Sequence, residues 1–534
     1  MKMKKCFKFF SVAAIVAAGL VGCSSETPVN PDGNGSASNE LTAATFTFPD
    51  FKSTKADLVS ESGETSTITT IRILVYKDVI SNNGVCEADT TISGGNPSAT
   101  VLVTSGWKRI LVIANDRTAA TPPTPPSAKA FTITNQKGQT LDKLVASKTY
   151  NSGTTYLNET IFGAPAVGSG PLTGLDYAEM SGPINFIFSN SLADSSSRKE
   201  LLPGISSSTS ASGGPNDPTK NHFQLYVKRS VAKVTVYTTA SAGVTAVPVL
   251  DNKGTLSNLN WGVRNQNRGI AQIQIPTLSG KPQAPFFNEL DAKNTAEMAA
   301  VATYRPFWWT GDALGDELKI ALPATTPGSY YYIPENANNR SVRGNTTYTA
   351  IKATFTPTAN TVISAFKSDN GLHAVTEVTK ASSVAAPGTF YRVIGVAGTN
   401  GSTDINTYGK GFITDGNLYT TLALAMRMAY IAEHNGDDDG TVNGYPAGYV
   451  PTTVSVDTYT NGICYYRLNI GDNTNSYVVR NNQYRVNISA FNTIGEPNLS
   501  DLDKDPGKPI DEPTYVTATI QILDWDTINQ VSPV

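Results

Sequence analysis

The stretch "ATVLVTSGWKRILVIAN", residues 99–115, holds two β-branched runs on either side of Ser105-Gly106. Val, Ile and Thr lose rotamer freedom in helices and pack well on a pleated sheet. Gly106 can take the positive φ of a tight reversal. The reading is two strands joined as a hairpin. The same pattern recurs outward from it. "LTAATFTFPDF" (41–51) alternates Thr45 and Thr47 with Phe46 and Phe48 and stops at Pro49, a short strand with one apolar side. "TSTITTIRILVYKD" (65–78) is another. "HFQLYVKRSVAKVTVYTT" (222–239) is the longest strand candidate, placed where a first domain hands over to a second. Further strands follow in 254–265, 330–336, 345–359, 389–398, 463–472 and 481–491.

Helices are few. "LDKLVASKTY" (141–150) reads as a short one. "NLYTTLALAMRMAYIAEH" (417–434) reads as a longer one, with an apolar stripe of Leu418, Leu422, Met426 and Tyr430 and a stop at Asn435-Gly436. Residues 191–220, rich in Ser, Gly and Pro, read as a long surface loop. Strands at short, turn-punctuated intervals predict a mainly all-β chain of two β-sandwiches. Its 534 residues exceed what one core supports.

Charged residues are 16% and the formal net charge is -3, so nucleic acid is excluded as a natural partner. No metalloprotease, Walker A, nucleophile-elbow or dinucleotide motif occurs, and the expectation is a protein that is not an enzyme and has no cofactor. His222, His373 and His434 are isolated, with His434 at the end of the longer helix. In "NGDDDGTVNGYP", Asn435, Asp437, Asp439, Gly440 and Asn443 follow a calcium-loop register. Pro446 stands where the bidentate Glu belongs, so Asp437 and Asp439 are a weak calcium candidate and no metal is expected. Cys86 and Cys464, far apart in sequence, are free to pair or not.

The two ends carry the strongest signals. Lys2, Lys4, Lys5 and Lys8 precede the short apolar run 9–22, which reads as a secretory signal. It ends in Leu20-Val21-Gly22-Cys23, which resembles a bacterial lipobox, so Cys23 is the expected site of a covalent lipid (palmitate included) and the precursor an outer-membrane lipoprotein. At the other end, "NLSDLDKDPGKPIDE" leads into "YVTATIQILDW" (515–525). Val516, Ala518, Ile520 and Ile522 alternate with Thr517, Thr519 and Gln521, giving a strand with one apolar face. The lead, residues 498–513, reads as an acidic, proline-bearing tether.

Taken in order, these segments resemble the Bacteroidia-type fimbrillins (type V pilins), above all the shaft subunit of the short fimbria. The segments that carry the resemblance are Cys23, "VTSGWKRILVIAN", "AEMSGP", "YVKRSVAKVTV", "LSNLNWGV", "RGNTTYTAIKATFTP", "RNNQYRVNISAFNTIGEP" and "YVTATIQILDWDTIN". The resemblance implies two transthyretin-like sandwiches and assembly by strand exchange. A surface trypsin-like protease cuts the lipoprotein and removes its first strand, with Phe46 and Phe48. The C-terminal strand of another copy (Tyr515, Val516, Ala518, Ile520, Ile522, Leu523, Trp525) then fills the vacated place. The family cuts after Arg. Here Lys52 and Lys55 are the basic residues between the lipobox and Arg72, so the expected cut lies between Lys55 and Ala56. Losing residues 1–55 moves the formal charge from -3 to -5 and makes a mildly acidic filament surface that resists bundling.

The organisation expected is therefore a signal peptide (1–22), a lipidated propeptide with the first strand (23–55), an N-terminal sandwich (56–225), a C-terminal sandwich (226–497), and tether plus donor strand (498–534). Implied partners are further copies head to tail, anchor and tip subunits, the protease and an adhesion ligand. The alternative is an anchor or tip subunit, or a monomeric glycan-binding surface lipoprotein.

Overall fold

The computed structural model describes residues 40–48, 70–78, 84–93, 98–114, 135–141, 147–149, 155–157, 188–190, 197–212, 214, 216–229, 231–239, 247–248, 253–267, 308–309, 318, 320–322, 330–336, 343–368, 375–385, 387–394, 417–434, 444–470, 478–504 and 516–524. The class is all-β and sandwich-built, as the alternation predicts.

In the N-terminal module, one sheet runs β10 (His222–Gln224), β1 (Leu41–Thr47), β4 (Ser98–Thr104). The second runs β11 (Lys228–Arg229), β8 (Phe188–Ser189), β5 (Gly106–Ala114), β2 (Thr70–Lys77), β3 (Cys86–Ser93), with β9 (Arg198–Leu201) also paired to β5. Phe46, Phe48 and Phe223 meet Ile73, Val75, Ile110 and Val112 in the core between them. A short helix, α1 (Ser207–Ala211), covers the other face of β1, and β6 (Ser147–Thr149) pairs with β7 (Thr155–Leu157).

The C-terminal module faces β18 (Tyr330–Pro334), β12 (Val231–Thr238), β26 (Asn482–Phe491) and β27 (Val516–Asp524) against a second sheet. That sheet runs β13 (Val247–Pro248), β14 (Gly254–Arg264), β19 (Tyr348–Pro357), β25 (Ile463–Asn469), with β17 (Ile320–Ala321) on β14. Trp261, Phe355, Tyr466, Val486 and Phe491 fill this core. A further sheet orders β21 (Val375–Lys380), β20 (Val362–Ser368), β23 (Leu418–Tyr419), β22 (Phe390–Ile394), β24 (Ser455–Tyr459), with α2 (Leu422–Glu433) packed on it. Two short strands, β15 (Gln266–Asn267) and β16 (Trp308–Trp309), pair apart.

Several expectations are corrected. β4 and β5 are no hairpin. β4 pairs with β1 and β5 with β2, so the chain arches at Gly106 (φ +90°) from one sheet to the other. Val101 and Val103 thus meet Ile110 and Val112 across the core instead of lying beside them. The 222–239 run is three strands, β10, β11 and β12, because the chain crosses between sheets there. Residues 147–149 are strand, which ends the expected 141–150 helix, and the expected loop 191–220 contains β9 and α1. Thr421 caps α2, accepting from the N–H of Leu424. The buried face of α2 is Ala425, Met428, Ala429 and Ile431 in place of the expected stripe, since Leu418 lies in β23, Leu422 is 47% exposed, and Met426 and Tyr430 are half-buried. His434 is the C-cap as expected, its ring centroid 3.8 Å from that of Tyr430. The third sheet was not foreseen.

Cys86 and Cys464 are separate free thiols in β3 and β25. Burial pushes each up to about 12, so neither is a thiolate near neutrality.

A buried Arg480 joins the two modules. Its guanidinium donates to Glu335 Oε2 (2.6 Å) in the C-terminal module and to Ser189 Oγ (3.0 Å) on β8. Nearby, the Arg229 N–H donates to Asn481 Oδ1 (3.3 Å).

Candidate functional site

The site is the place of β1. Its backbone pairs on both sides, parallel to β10 (Thr45 beside His222) and antiparallel to β4 (Ala43 beside Leu102, Thr45 beside Thr100). Further main-chain bonds run from Ala43 N–H to Ile205 O (2.9 Å) and from Thr45 N–H to Asn221 O (2.8 Å). Every residue from Thr42 to Phe46 is buried. One face gives Ala44, Phe46 and Phe48 to the core, and the Phe46 ring stacks on Phe223 (6.1 Å). The other face turns to α1, where the Thr45 hydroxyl meets Thr100 Oγ1 (2.7 Å) and Ser210 Oγ (3.0 Å). Burying the two Phe side chains contributes roughly 1.5–3 kcal/mol each.

Asn221 closes the slot from below, in the left-handed region at φ 51°. Its amide donates to Thr42 Oγ1 (3.0 Å), Ala43 O (3.1 Å) and Leu202 O (2.9 Å) and accepts from Leu202 N–H (2.8 Å). Thr42 Oγ1 in turn donates to Leu202 O (2.7 Å). Beside Thr45, the His222 imidazole is 5% exposed, and burial lowers its pKa.

The wall formed by β4 is fastened without help from β1. Glu87 accepts from the N–H and hydroxyl of Thr104 and from Lys108 Nζ (2.8 Å), which also reaches Thr104 Oγ1 (2.7 Å). Burial raises the Glu87 carboxyl, and the bonds from Lys108 and Thr104 outweigh it and hold the group below the usual carboxylate range.

β27 is held less. Among the described residues it is the last strand in its sheet and pairs with β26 only, from Phe491 beside Val516 to Asn482 beside Asp524. Val516 is buried, and Ala518 and Ile520 pack on the core. Thr517 and Gln521 are exposed, which is the alternation expected. Tyr515 and Trp525, like Cys23, Lys55, Ala56, Asp437 and Asp439, lie outside the described residues, and so does His373. No group of side chains able to hold a metal occurs among the described residues.

The expected tether is shorter than the sequence suggested. Residues Leu499–Asp503 form a 3-10 turn that buries Leu499 and Leu502 beside Leu318, Tyr348 and Ala350. Asp501 accepts from Asn498 N–H (3.3 Å) and Nδ2 (3.0 Å). Asp503 accepts from the Tyr348 hydroxyl (2.8 Å) and Arg264 Nη2 (3.0 Å), with Arg467 Nη1 at 3.8 Å. Asp501 and Asp503, read as part of an acidic tether, are partnered, and residues 505–513 of that expected tether lie outside the described residues. Asp503→Asn weakens two charge-assisted bonds, and the expected loss is about 1.5–3 kcal/mol. Denaturant midpoints check it, with Lys504→Gln, a largely exposed ammonium, as a control that shifts by less than about 1 kcal/mol.

Asn221, Thr42, Thr100, Ser210 and Asp503 were not singled out from the sequence. For Asn221 the available signal was an Asn directly before a strand; the others gave none. Residues 457–530 match the family model "Major fimbrial subunit protein type IV, Fimbrillin, C-terminal". No curated protein matches by sequence. Among solved structures, the chain is similar to a candidate cell adhesion protein of Parabacteroides distasonis at 12% identity and TM-score 0.38, over 91% of this chain and 100% of that one. It is also similar to the tip fimbrial protein Mfa3 of Porphyromonas gingivalis with C-terminal truncation, at 12% identity and TM-score 0.31, over 91% and 99%. The family match identifies residues 457–530 as similar to the C-terminal region of the fimbrillins.

Proposed function

We propose that this chain is a structural subunit of a surface fimbria, exported as a lipoprotein through Cys23 and assembled by strand exchange. Cleavage between Lys55 and Ala56 frees β1, and the C-terminal strand of another copy takes its place. The observation that carries the reading is the placement of β1. A strand near the chain's start sits centrally between two others, while the last strand is an edge strand with an alternating apolar face. A head-to-tail contact of this kind need not close, so it extends into a filament. Anchor and tip subunits, a trypsin-like protease and an adhesion ligand complete the assembly in this reading, and the filament serves adhesion.

The experiment is the N-terminus and intact mass of the protein sheared from its native cell surface. A chain starting at Ala56 is expected. A chain still starting at an acylated Cys23 overturns the shaft reading and favours an anchor or a monomeric surface lipoprotein, which Lys rather than Arg at the cut site would then explain.

A further inference from the structure

The two terminal strands match each other. Laid side by side without a gap, Leu41-Thr42-Ala43-Ala44-Thr45-Phe46-Thr47-Phe48-Pro49-Asp50-Phe51 runs with Tyr515-Val516-Thr517-Ala518-Thr519-Ile520-Gln521-Ile522-Leu523-Asp524-Trp525. Ala44 meets Ala518, Thr45 meets Thr519 and Asp50 meets Asp524. Phe46 and Phe48 meet Ile520 and Ile522, and an aromatic residue closes both stretches.

We propose that the slot takes the C-terminal strand of a second copy of this same chain in one register, with Ala518, Thr519, Ile520 and Ile522 in the places of Ala44, Thr45, Phe46 and Phe48. The inference rests on the strand-exchange reading and adds to it the register. Two features of the slot select that register. Position 44 is fully buried on the core side and takes a methyl group. Position 45 lies buried between Thr100 Oγ1 and Ser210 Oγ and takes a hydroxyl. Ala518-Thr519 supplies both in order.

Slips of two residues keep the apolar face inward and are the real competitors. One slip puts Ile520 where Ala44 fits and Gln521 into the hydroxyl site, overpacking the core and disturbing two buried hydroxyls. The opposite slip puts Ala518 where Phe46 fits and leaves a void beside Phe223. A slip of one residue turns the apolar face outward.

The same alignment explains why the slot needs cutting. Val516 replaces Thr42 and cannot make that hydroxyl's bonds to Leu202 O and the Asn221 amide. Ile520 and Ile522 fill less volume than two Phe rings. The chain's own β1 is the better occupant, so the donor enters only after β1 is severed and lost. The donor is complementary enough to seal the slot and poor enough not to invade an uncut neighbour.

Disulfide trapping in filaments of the matured chain reads the register. Leu102 lies opposite Ala43, and Ser98 opposite Thr47. Leu102→Cys combined with Thr517→Cys is therefore expected to crosslink neighbouring subunits, as is Ser98→Cys combined with Gln521→Cys. Leu102→Cys with Tyr515→Cys or Thr519→Cys is expected to crosslink about tenfold more slowly, since Cα atoms more than about 7 Å apart cannot be bridged without backbone movement. Leu102, Thr517 and Gln521 are exposed, so the replacements leave the cores intact. Filaments that crosslink fastest in a slipped pair overturn the register and leave strand exchange standing. Filaments that crosslink in no pair and assemble without residues 515–534 overturn both.

Discussion

Removing residues 515–534 from the matured chain leaves a folded subunit that does not polymerise. β27 is the outermost described strand of its sheet, and Ala518 and Ile520 are only partly buried, so its loss trims one sheet of the C-terminal module without emptying the core of Trp261, Phe355 and Tyr466. Assembly, in contrast, loses its donor outright. Size-exclusion chromatography and ladder formation on unheated gels check this, with the full matured chain as reference. A synthetic peptide of residues 515–534 then restores a filled slot without restoring filaments. At a peptide concentration about a hundredfold above its Kd, the expected gain in stability is about 2.7 kcal/mol. A truncated chain that still forms ladders would mean that another surface makes the joint.

Phe46→Ala in the uncut precursor carries the second large effect. The ring is fully buried, stacks on Phe223 and lies in the strand that completes the sheet. The cost is the lost transfer energy plus the void, about 3–5 kcal/mol. Leu102→Ala, on the exposed face of the adjacent strand, is the control and stays within about 0.5 kcal/mol. Chemical denaturation of the precursor measures both. Because the variant strand is a poorer occupant, the uncut Phe46→Ala precursor also takes up donor strand, which the unaltered precursor does not. A shift below about 1 kcal/mol would mean that β1 is not the plug of this slot.

Much of the module architecture is legible from periodicity. Val101 and Val103, and Val516 with Ala518 and Ile520, alternate as strands with one buried side and are such strands, whereas β1, with Phe46 and Phe48, is buried on both faces because α1 covers its outer one. Alternation reports which side of a strand is apolar and says nothing about which strand lies beside it. Ser105-Gly106 serves a hairpin or an arch equally well, and the choice falls to the arch because both flanking runs have core to fill from opposite sheets. The same blindness broke the 222–239 run into three strands in three sheets. Composition misled at 498–503, where acids that normally stay solvated find Arg264, Arg467 and Tyr348, residues far away in sequence. Asn221 was beyond reach for a similar reason, since its amide holds Thr42 and Ala43 from a position about 180 residues later.

The Arg480 junction has a mechanical consequence. In a filament joined as proposed, pull on one subunit enters through the wall strands of its slot and leaves through its own final strand. Ladder hydrogen bonds stand across the strands. Tension along the filament therefore shears the joint's whole ladder at once, where peeling would break one bond at a time. Between entry and exit, the load crosses from β8 to the start of β26 through Ser189, Arg480 and Glu335, a buried and charge-assisted link. The two modules of one subunit are thus tied side chain to side chain on the load path, and a subunit without the Arg480 guanidinium loses that tie between the slot and the final strand.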